Sequence, residues 1–390
     1  MDVRSSPTDP AIASTLDAVA DLARARAAAR GLDPDMAASF TRALYGGLAA
    51  DDLAAASIAD RAGAALTVLD FARTRPAGEA KVRVYDPSLE RHGYAAPYSV
   101  VEIVNDDMPF LVDSVTVEIT RRELAIRLLA HPVIGARRDA AGLLVALGGD
   151  GGRESVMRIE IDHTTEPEAL AEGLRVALGE VRLAVGDWLK MRAAALEAAL
   201  ELGAASGRGG GEPKALEEAA SFLRWAEDNH FTFLGHRRYR YAADGTRALI
   251  DGTGLGILRD RAVRMFDPHP AGGAAMTAFA RSTAPILLLK SDRPSHVHRG
   301  GAMDVIVVKS YGDDGKVVGE RRFCGLFTSS AYHASPRDIP LLRRKVAQIV
   351  ARAGFDPAGH DGKALLNILE THPRDEMFQS DDDTLYAIAT

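Results

Sequence analysis

Between Tyr98 and Pro109 the chain passes without a spacer from an aliphatic run into a proline-marked helix start, the junction that most restricts its fold. Val100, Val101, Ile103 and Val104 leave little polar surface apart from Glu102, so the run reads as a strand covered on both faces. In Asn105-Asp106-Asp107-Met108-Pro109, two carboxylates are available as N-caps and the proline suits a helix's first turn. A helix is expected from about Pro109 to Glu123. The β-branched Val112, Val115, Thr116, Val117, Ile119 and Thr120 write a strand equally well, and helix is the reading kept. A strand buried on both faces needs cover on two sides, and the helix it feeds can supply part of it.

The flanking patterns add further strands and helices. Helical periodicity marks Ala11 to Arg30, about Met36 to Leu48 and about Leu53 to Arg75. Lys81 to Tyr85 alternates as a short strand, Ala125 to Ile134 reads as the next, and Ser155 to Ile161 follows the turn Gly148 to Gly152. Thr165 and Glu168 form a capping-box pattern that opens a long helix to about Gly203. Ser206 to Gly211 has almost nothing to pack and reads as a linker. Beyond it come a helix over Pro213 to Asn229 and an aromatic-faced strand from Phe231 to Tyr241. A strand over Pro285 to Lys290 precedes a hairpin pairing Met303–Lys309 with Val317–Phe327 across Asp313-Asp314-Gly315. Ser335-Pro336-Arg337-Asp338 predicts a capped helix from Pro336 to about Ala353, and shorter helices are expected over Gly362 to Thr371 and Asp375 to Ile388.

Composition removes several functional classes. At 390 residues the chain is long enough for two or three domains. Its 47 basic against 54 acidic side chains, net −7, argue against a dedicated nucleic-acid binder, whose affinity comes from a cationic excess. No stretch approaches the ~18 to 20 apolar residues of a membrane span, and Met1 to Pro10 lacks the apolar segment of a secretory signal. The lone Cys324 forms no disulfide within the chain and reads as a buried thiol; a cytoplasmic protein without membrane or nucleic-acid partners is expected.

Few residues announce chemistry. Gly252-Thr253-Gly254-Leu255-Gly256 misses the dinucleotide spacing by one position and reads as a turn, and no P-loop, H-E-x-x-H or G-x-S-x-G occurs. His296 and His298, two apart, would hold a metal only if a third ligand converged, and read otherwise as exposed loop histidines. The best-motivated binding feature is the loop Asn105, Asp106, Asp107, Met108 and Pro109. Its helix-start N–H groups suit the carboxylate of an amino-acid effector, and its acids suit the ammonium. The plainer reading is that these acids only cap the helix.

Tyr98-Ser99-Val100-Val101-Glu102-Ile103-Val104-Asn105-Asp106-Asp107-Met108-Pro109-Phe110-Leu111-Val112-Asp113-Ser114 closely resembles the N-terminal region of the large bacterial NAD-specific glutamate dehydrogenases. Collinear resemblance continues through Phe222–Tyr239, Gly319–Ala331, Ile339–Lys345 and His360–Gln379, and covers about Tyr85 to Ile388. It implies an α+β fold with an ACT-like βαββα regulatory domain (80–203) and a PAS-like α+β domain (213–335); the residues themselves add an Ala-rich helical segment (1–75) that carries little of the resemblance, a Gly-rich linker (204–212) and a helical C-terminal segment (336–390). The family reaction converts L-glutamate, NAD and water to 2-oxoglutarate, ammonium and NADH. Nothing like the family's Gly-Gly-x-Lys-Gly-Gly occurs here, so the resemblance implies no catalytic residue, no cofactor site and no metal in this chain, with NAD belonging to the full-length protein. The implied partners are the catalytic domain of the same polypeptide, further copies in a homo-oligomer, and an amino-acid effector. Thr390 follows the last expected helix without capping glycine or polar tail, the pattern of a chain cut from a longer one. In one departure, ligand-binding ACT loops usually carry glycine after the proline, where this chain has Phe110. A free-standing ACT/PAS-like amino-acid sensor is the alternative reading, and a metal hydrolase built on His296 and His298 a weaker third.

Overall fold

The computed structural model describes residues 10–242, 246–265 and 270–390, with side chains described from residues 12 and 274 in the first and last stretches. The first nine residues of the expected N-terminal segment therefore lie outside the described residues. The chain divides into two compact units. One comprises residues 1–181 with His296–Arg299, and the other residues 182–295 with 300–390.

The first unit opens with α1 (Pro10–Ala27), α2 (Pro34–Tyr45), α3 (Ala50–Ala54) and α4 (Ile58–Ala72). Asp33 caps α2 and Ser57 caps α4 through their side-chain oxygens. The single helix expected over 53–75 is two, because Ser57 starts a new one. Strand β1 (Lys81–Tyr85), the turn-like α5 (Leu89–His92), β2 (Ser99–Asp106) and α6 (Leu111–Thr120) follow. Then come β3 (Ile126–Ala130), β4 (Val133–Arg138), β5 (Leu144–Leu147), β6 (Gly152–Ile161) and α7 (Pro167–Gly207).

All pairings are antiparallel, in the order β1-β2-β6-β4-β5, with β3 and β4 taking successive halves of one edge of β6. The strand expected over 125–134 is thus split at His131-Pro132: Pro132 has no N–H to donate, and its carbonyl accepts from Val156. Strand β5 had no sequence signal. Helices α1 to α4 share one core with the sheet, in which Val19, Phe40, Leu66 and Leu69 join Val104, Ile134, Leu144 and Val156. The opposite face is closed by α6 and the first turns of α7, whose Leu111, Val115, Ile119, Leu170 and Leu174 are buried. A side chain at Gly173 would strike the Glu118 carboxylate, so glycine sets how closely α7 approaches α6.

The N-terminus of α7 departs from the capping-box expectation. Leu170 N–H bonds the Glu166 carbonyl, and Glu166 N–H donates to Thr164 Oγ1, one residue ahead of the Thr165–Glu168 pair. The helix runs unbroken to Gly207, into the segment 204–212, and the division between the two units falls within it, at Val181 and Arg182.

The second unit continues with α8 (Pro213–Trp225), β7 (Phe231–Tyr241), β8 (Arg247–Leu249), β9 (Leu255–Gly256), α9 (Pro270–Arg281) and β10 (Ile286–Pro294). Next are β11 (Ala302–Tyr311), β12 (Val317–Phe327), α10 (Ser329–His333), α11 (Leu342–Ala353), α12 (His360–Thr371), α13 (Arg374–Gln379) and α14 (Asp382–Ala389). Its antiparallel sheet has the order β10-β11-β12-β7-β8, with β9 on β7, and the expected hairpin closes with Gly315 at φ 78°. Phe231, Phe233, Phe323 and Phe327 form one core with Phe222 of α8 and Phe378 of α13, so the C-terminal helices belong to this unit.

Helix α11 does not begin at Pro336. Residues Ser335 to Asp338 form a turn, Leu341 takes φ 73°, and its N–H is capped by Glu218 of α8 at 3.0 Å. The expected helix over 375–388 breaks into α13 and α14, where the Asp381 side chain accepts from Thr384 N–H. Lys345 satisfies the end of α13 through the carbonyls of Met377, Phe378 and Ser380.

Candidate effector loop

Strand β2 is buried along nearly its whole length, and Asn105 at its end is fully enclosed. The next residues emerge, and their two acids do not cap α6 as the sequence reading expected. Asp106 Oδ1 accepts from Arg75 Nη2 at 2.6 Å, and the same guanidinium nitrogen donates to Glu154 at 2.8 Å. Asp107 meets Arg153 at 3.0 Å, and Asp107 N–H bonds the Arg153 carbonyl, which extends the β2–β6 ladder by one rung. Helix α6 begins after Phe110, not at Pro109, and has no side-chain cap. Ser114 closes its first turn by donating its hydroxyl to the Phe110 carbonyl at 2.6 Å.

Phe110 sits at φ 71° in the left-handed region, where glycine pays no steric cost. The backbone thus adopts the shape a glycine would give, and the ring stands where a glycine would leave space. In the segment His296–Arg299, grouped with this unit, the His298 ring lies 4.9 Å from the Phe110 ring. His298 Nδ1 is 2.9 Å from Asp113 Oδ2, and its N–H donates to Ser114 Oγ. His296 faces a different carboxylate, Glu180, at 3.2 Å. The two histidines therefore do not converge on a shared third ligand, and among the described residues no group of three metal-type ligands gathers.

A second layer holds these acids. Arg138 binds Glu154 through two nitrogens, at 2.6 and 2.8 Å, so Glu154 bridges Arg138 and Arg75 beneath Asp106. Burial alone would raise the Glu154 pKa, but hydrogen bonds from Arg138 and Arg75 outweigh it and hold the carboxyl below its usual range. Burial also lowers the pKa of His131, whose Nε2 is 2.7 Å from Ser155 Oγ. No local pattern signals these partners, because Arg75, Arg138 and Glu154 meet Asp106 only when four separate elements assemble. An ammonium group approaching Asp106 or Asp107 must compete with guanidinium groups already in place. A carboxylate would find the uncapped N-terminus of α6.

In the second unit, the glycines at 252–256 form a turn and the strand β9, with no strand-to-helix frame. Gly256 N–H donates to Asp187 of α7 at 2.9 Å. Hydrogen bonds from Arg259, Gly256 and Lys190 hold the Asp187 carboxyl far below its usual range despite burial. Cys324 is buried on β12.

Residues 40–175 match the family described as glutamate dehydrogenase, ACT1 domain, and residues 339–390 match glutamate dehydrogenase, helical motif 1. The NAD-specific glutamate dehydrogenase of Pseudomonas aeruginosa is 37% identical over 364 residues, or 90% of this chain, and that of Halomonas elongata 36% over 91%. The Mycobacterium tuberculosis enzyme of the same name is 29% identical over 81%. The chain spans about a fifth of the length of these relatives, 22%, 23% and 19% respectively. With an ACT1 domain and helical motif 1 in register with relatives along nine-tenths of its length, the chain belongs to the NAD-specific glutamate dehydrogenase family.

Proposed function

We propose that this chain is the N-terminal regulatory and assembly portion of an NAD-dependent glutamate dehydrogenase, and that catalysis resides in a domain outside it. One observation carries the reading. Similarity extends along 90% of the chain yet reaches only 22% of the relative's length, and the glycine-lysine segment of the catalytic domain has no counterpart in the sequence. The first unit is the ACT-like regulatory domain, the second a PAS-like sensor carrying the first helical motif, and both act on the catalytic domain in a cytoplasmic homo-oligomer.

The purified chain, given L-glutamate and NAD, should produce no NADH. Turnover at a rate typical of enzymes, ~1 s⁻¹ or more, overturns the proposal. The positive arm compares the full-length protein with a version lacking residues 1–390. Loss of effector response or of oligomeric state supports the regulatory role, and unchanged behaviour in both removes it.

Within this reading, the loop Asn105, Asp106, Asp107, Met108 and Pro109 is the place for an amino-acid effector, supported by the uncapped start of α6 and the left-handed backbone at Phe110. A saturable rise in melting temperature with one amino acid, enlarged by Phe110→Gly, is the expected result. No response from either protein to any common amino acid would remove the effector and leave the assembly role standing.

A further inference from the structure

A cavity of about 350 Å³ in the second unit lies beside the Gly252–Gly256 turn. Its wall includes Arg237, Asp251, Gly252, Gly254, Arg259 and Arg261. The charges in that wall do not cancel.

Arg237 on β7 is only 5% exposed. Its Nε and Nη2 donate to the Leu258 carbonyl at 3.1 and 2.7 Å, Nη2 also to Asp260 at 2.6 Å, and Nη1 to Val263 at 3.2 Å. Every one of these acceptors is a neutral backbone carbonyl, and among the described residues no carboxylate forms an ion pair with it. Four of the five guanidinium N–H groups are bonded in this way, and the charge is not neutralised. The other two arginines are answered singly, Arg259 by Asp187 and Arg261 by Asp251 at 3.0 Å. The lining itself therefore holds three arginines against one carboxylate, Asp251, with Asp187 behind it shared between Arg259 and Lys190, and the field in the cavity is positive. In a partly enclosed site that field is screened less than at an open surface.

Part of the lining is glycine backbone, at Gly252 and Gly254. Gly252 takes φ 75° with open space over its Cα, and a side chain at Gly254 would collide with the Leu258 carbonyl. At Gly252 a small polar ligand can thus reach main-chain groups directly, while Gly254 lets the turn pack against Leu258. The ion pair at the mouth, Arg261 with Asp251, is exposed on both sides, 71% and 74%, so little is lost when it opens.

We propose that this cavity binds a small metabolite through an oxyanion headgroup, carboxylate or phosphate, which answers the unneutralised charge of Arg237 and draws Arg261 away from Asp251. Asp187 and Arg259 hold the glycine turn and the cavity wall in place. The site lies wholly in the second unit, so it depends neither on the effector reading of the Asn105–Pro109 loop nor on dehydrogenase activity.

The test uses the 390-residue chain at constant ionic strength, with inorganic phosphate and acetate titrated separately against a chloride control by calorimetry. One saturable site is expected for at least one probe, and the tighter of the two identifies the headgroup. Arg261→Ala should weaken that binding at least fivefold without lowering the melting temperature. Asp251→Asn should tighten it severalfold, because it removes the competing carboxylate. Absence of saturable binding by both probes overturns the proposal. So does binding that Arg261→Ala and Asp251→Asn leave unchanged, which would place the ion elsewhere.

Discussion

The two units each build a six-stranded antiparallel sheet, yet the apolar cores that cover one face of it differ in what they enclose. In the first, the face turned to the N-terminal helices sets a buried ionic layer of Glu102, Arg158 and Glu160 beside the apolar Val104 and Val156. Arg61 of α4 and Arg158 share Glu160 at 2.9 and 2.5 Å, while Arg83 and the Tyr85 hydroxyl both reach Glu102. In the second, the corresponding layer is aromatic. Phe327 stacks on Phe378 at 4.9 Å and meets Phe231 edge-on at 5.2 Å, and Phe233 meets Phe323 edge-on at 5.7 Å. An apolar layer draws its stability from area removed from water and tolerates small shifts of its helices. A buried ionic layer gains little net energy, but it holds only when every charge finds its partner, which favours one placement of the helices over the sheet. The ionic face lies where the helices before β1 dock, and the aromatic one where the helices after β12 dock.

Four measurements break or sharpen this contrast. Phe323→Ala should cost the second unit about 3 to 5 kcal/mol, the usual range for emptying a core phenylalanine site, read by denaturant unfolding with hydrogen exchange to assign the transition. A loss below about 1 kcal/mol would mean that the aromatic layer is not what holds that unit. Glu160→Gln should destabilise the first unit by roughly 3 kcal/mol, because it strands Arg61 and Arg158 in the interior. Replacing all three by apolar residues of similar volume, Arg61→Met, Arg158→Met and Glu160→Leu, should recover most of that loss. A triple variant as unstable as Glu160→Gln would show net energy in the ionic layer rather than specificity.

The third measurement is acid sensitivity. Burial among Arg321 and Arg238 pushes the His236 pKa down from 6.5 to about 3. The unfolded chain then binds the proton more readily than the folded one, so the stability this group contributes is complete above pH 6.5 and is lost progressively as pH falls toward 3. Between pH 7 and pH 5 the second unit should lose roughly 2 kcal/mol through His236, and His236→Gln should flatten that slope. Glu154 and Glu160, held below their ordinary 4.5, add acid sensitivity to the first unit only below that pH. An unchanged slope in His236→Gln would exclude the histidine as its source. The smallest effect is expected from Ser57→Ala, which removes the hydroxyl that caps α4 and should cost about 1 kcal/mol by thermal unfolding.

Elements with strong periodicity or short-range turn chemistry were legible in the sequence. Strands β1 and β7 lie where alternation placed them and β12 where the hairpin turn placed it, because each signal is complete within neighbouring residues. The errors fall where a distant partner decides. Pro336 looked like the first residue of a helix, but α11 starts at Leu342 because Glu218 caps it from another helix. Asp106 and Asp107 looked like caps, but Arg75 and Arg153 hold them. The chemistry of the Asn105–Pro109 loop was readable as residue types, while the guanidinium groups that neutralise it were not.

The sequence by itself determined the α+β class, the buried course of β2 and the family, since burial pattern, turn residues and collinear identity are properties of consecutive positions. Tertiary structure alone decided how the charges are spent. Whether a carboxylate is a cap, a bridge or a free ligand group depends on which cation comes within about 3 Å of it, and residues such as Arg75 and Glu154 reach that distance only when the sheet assembles.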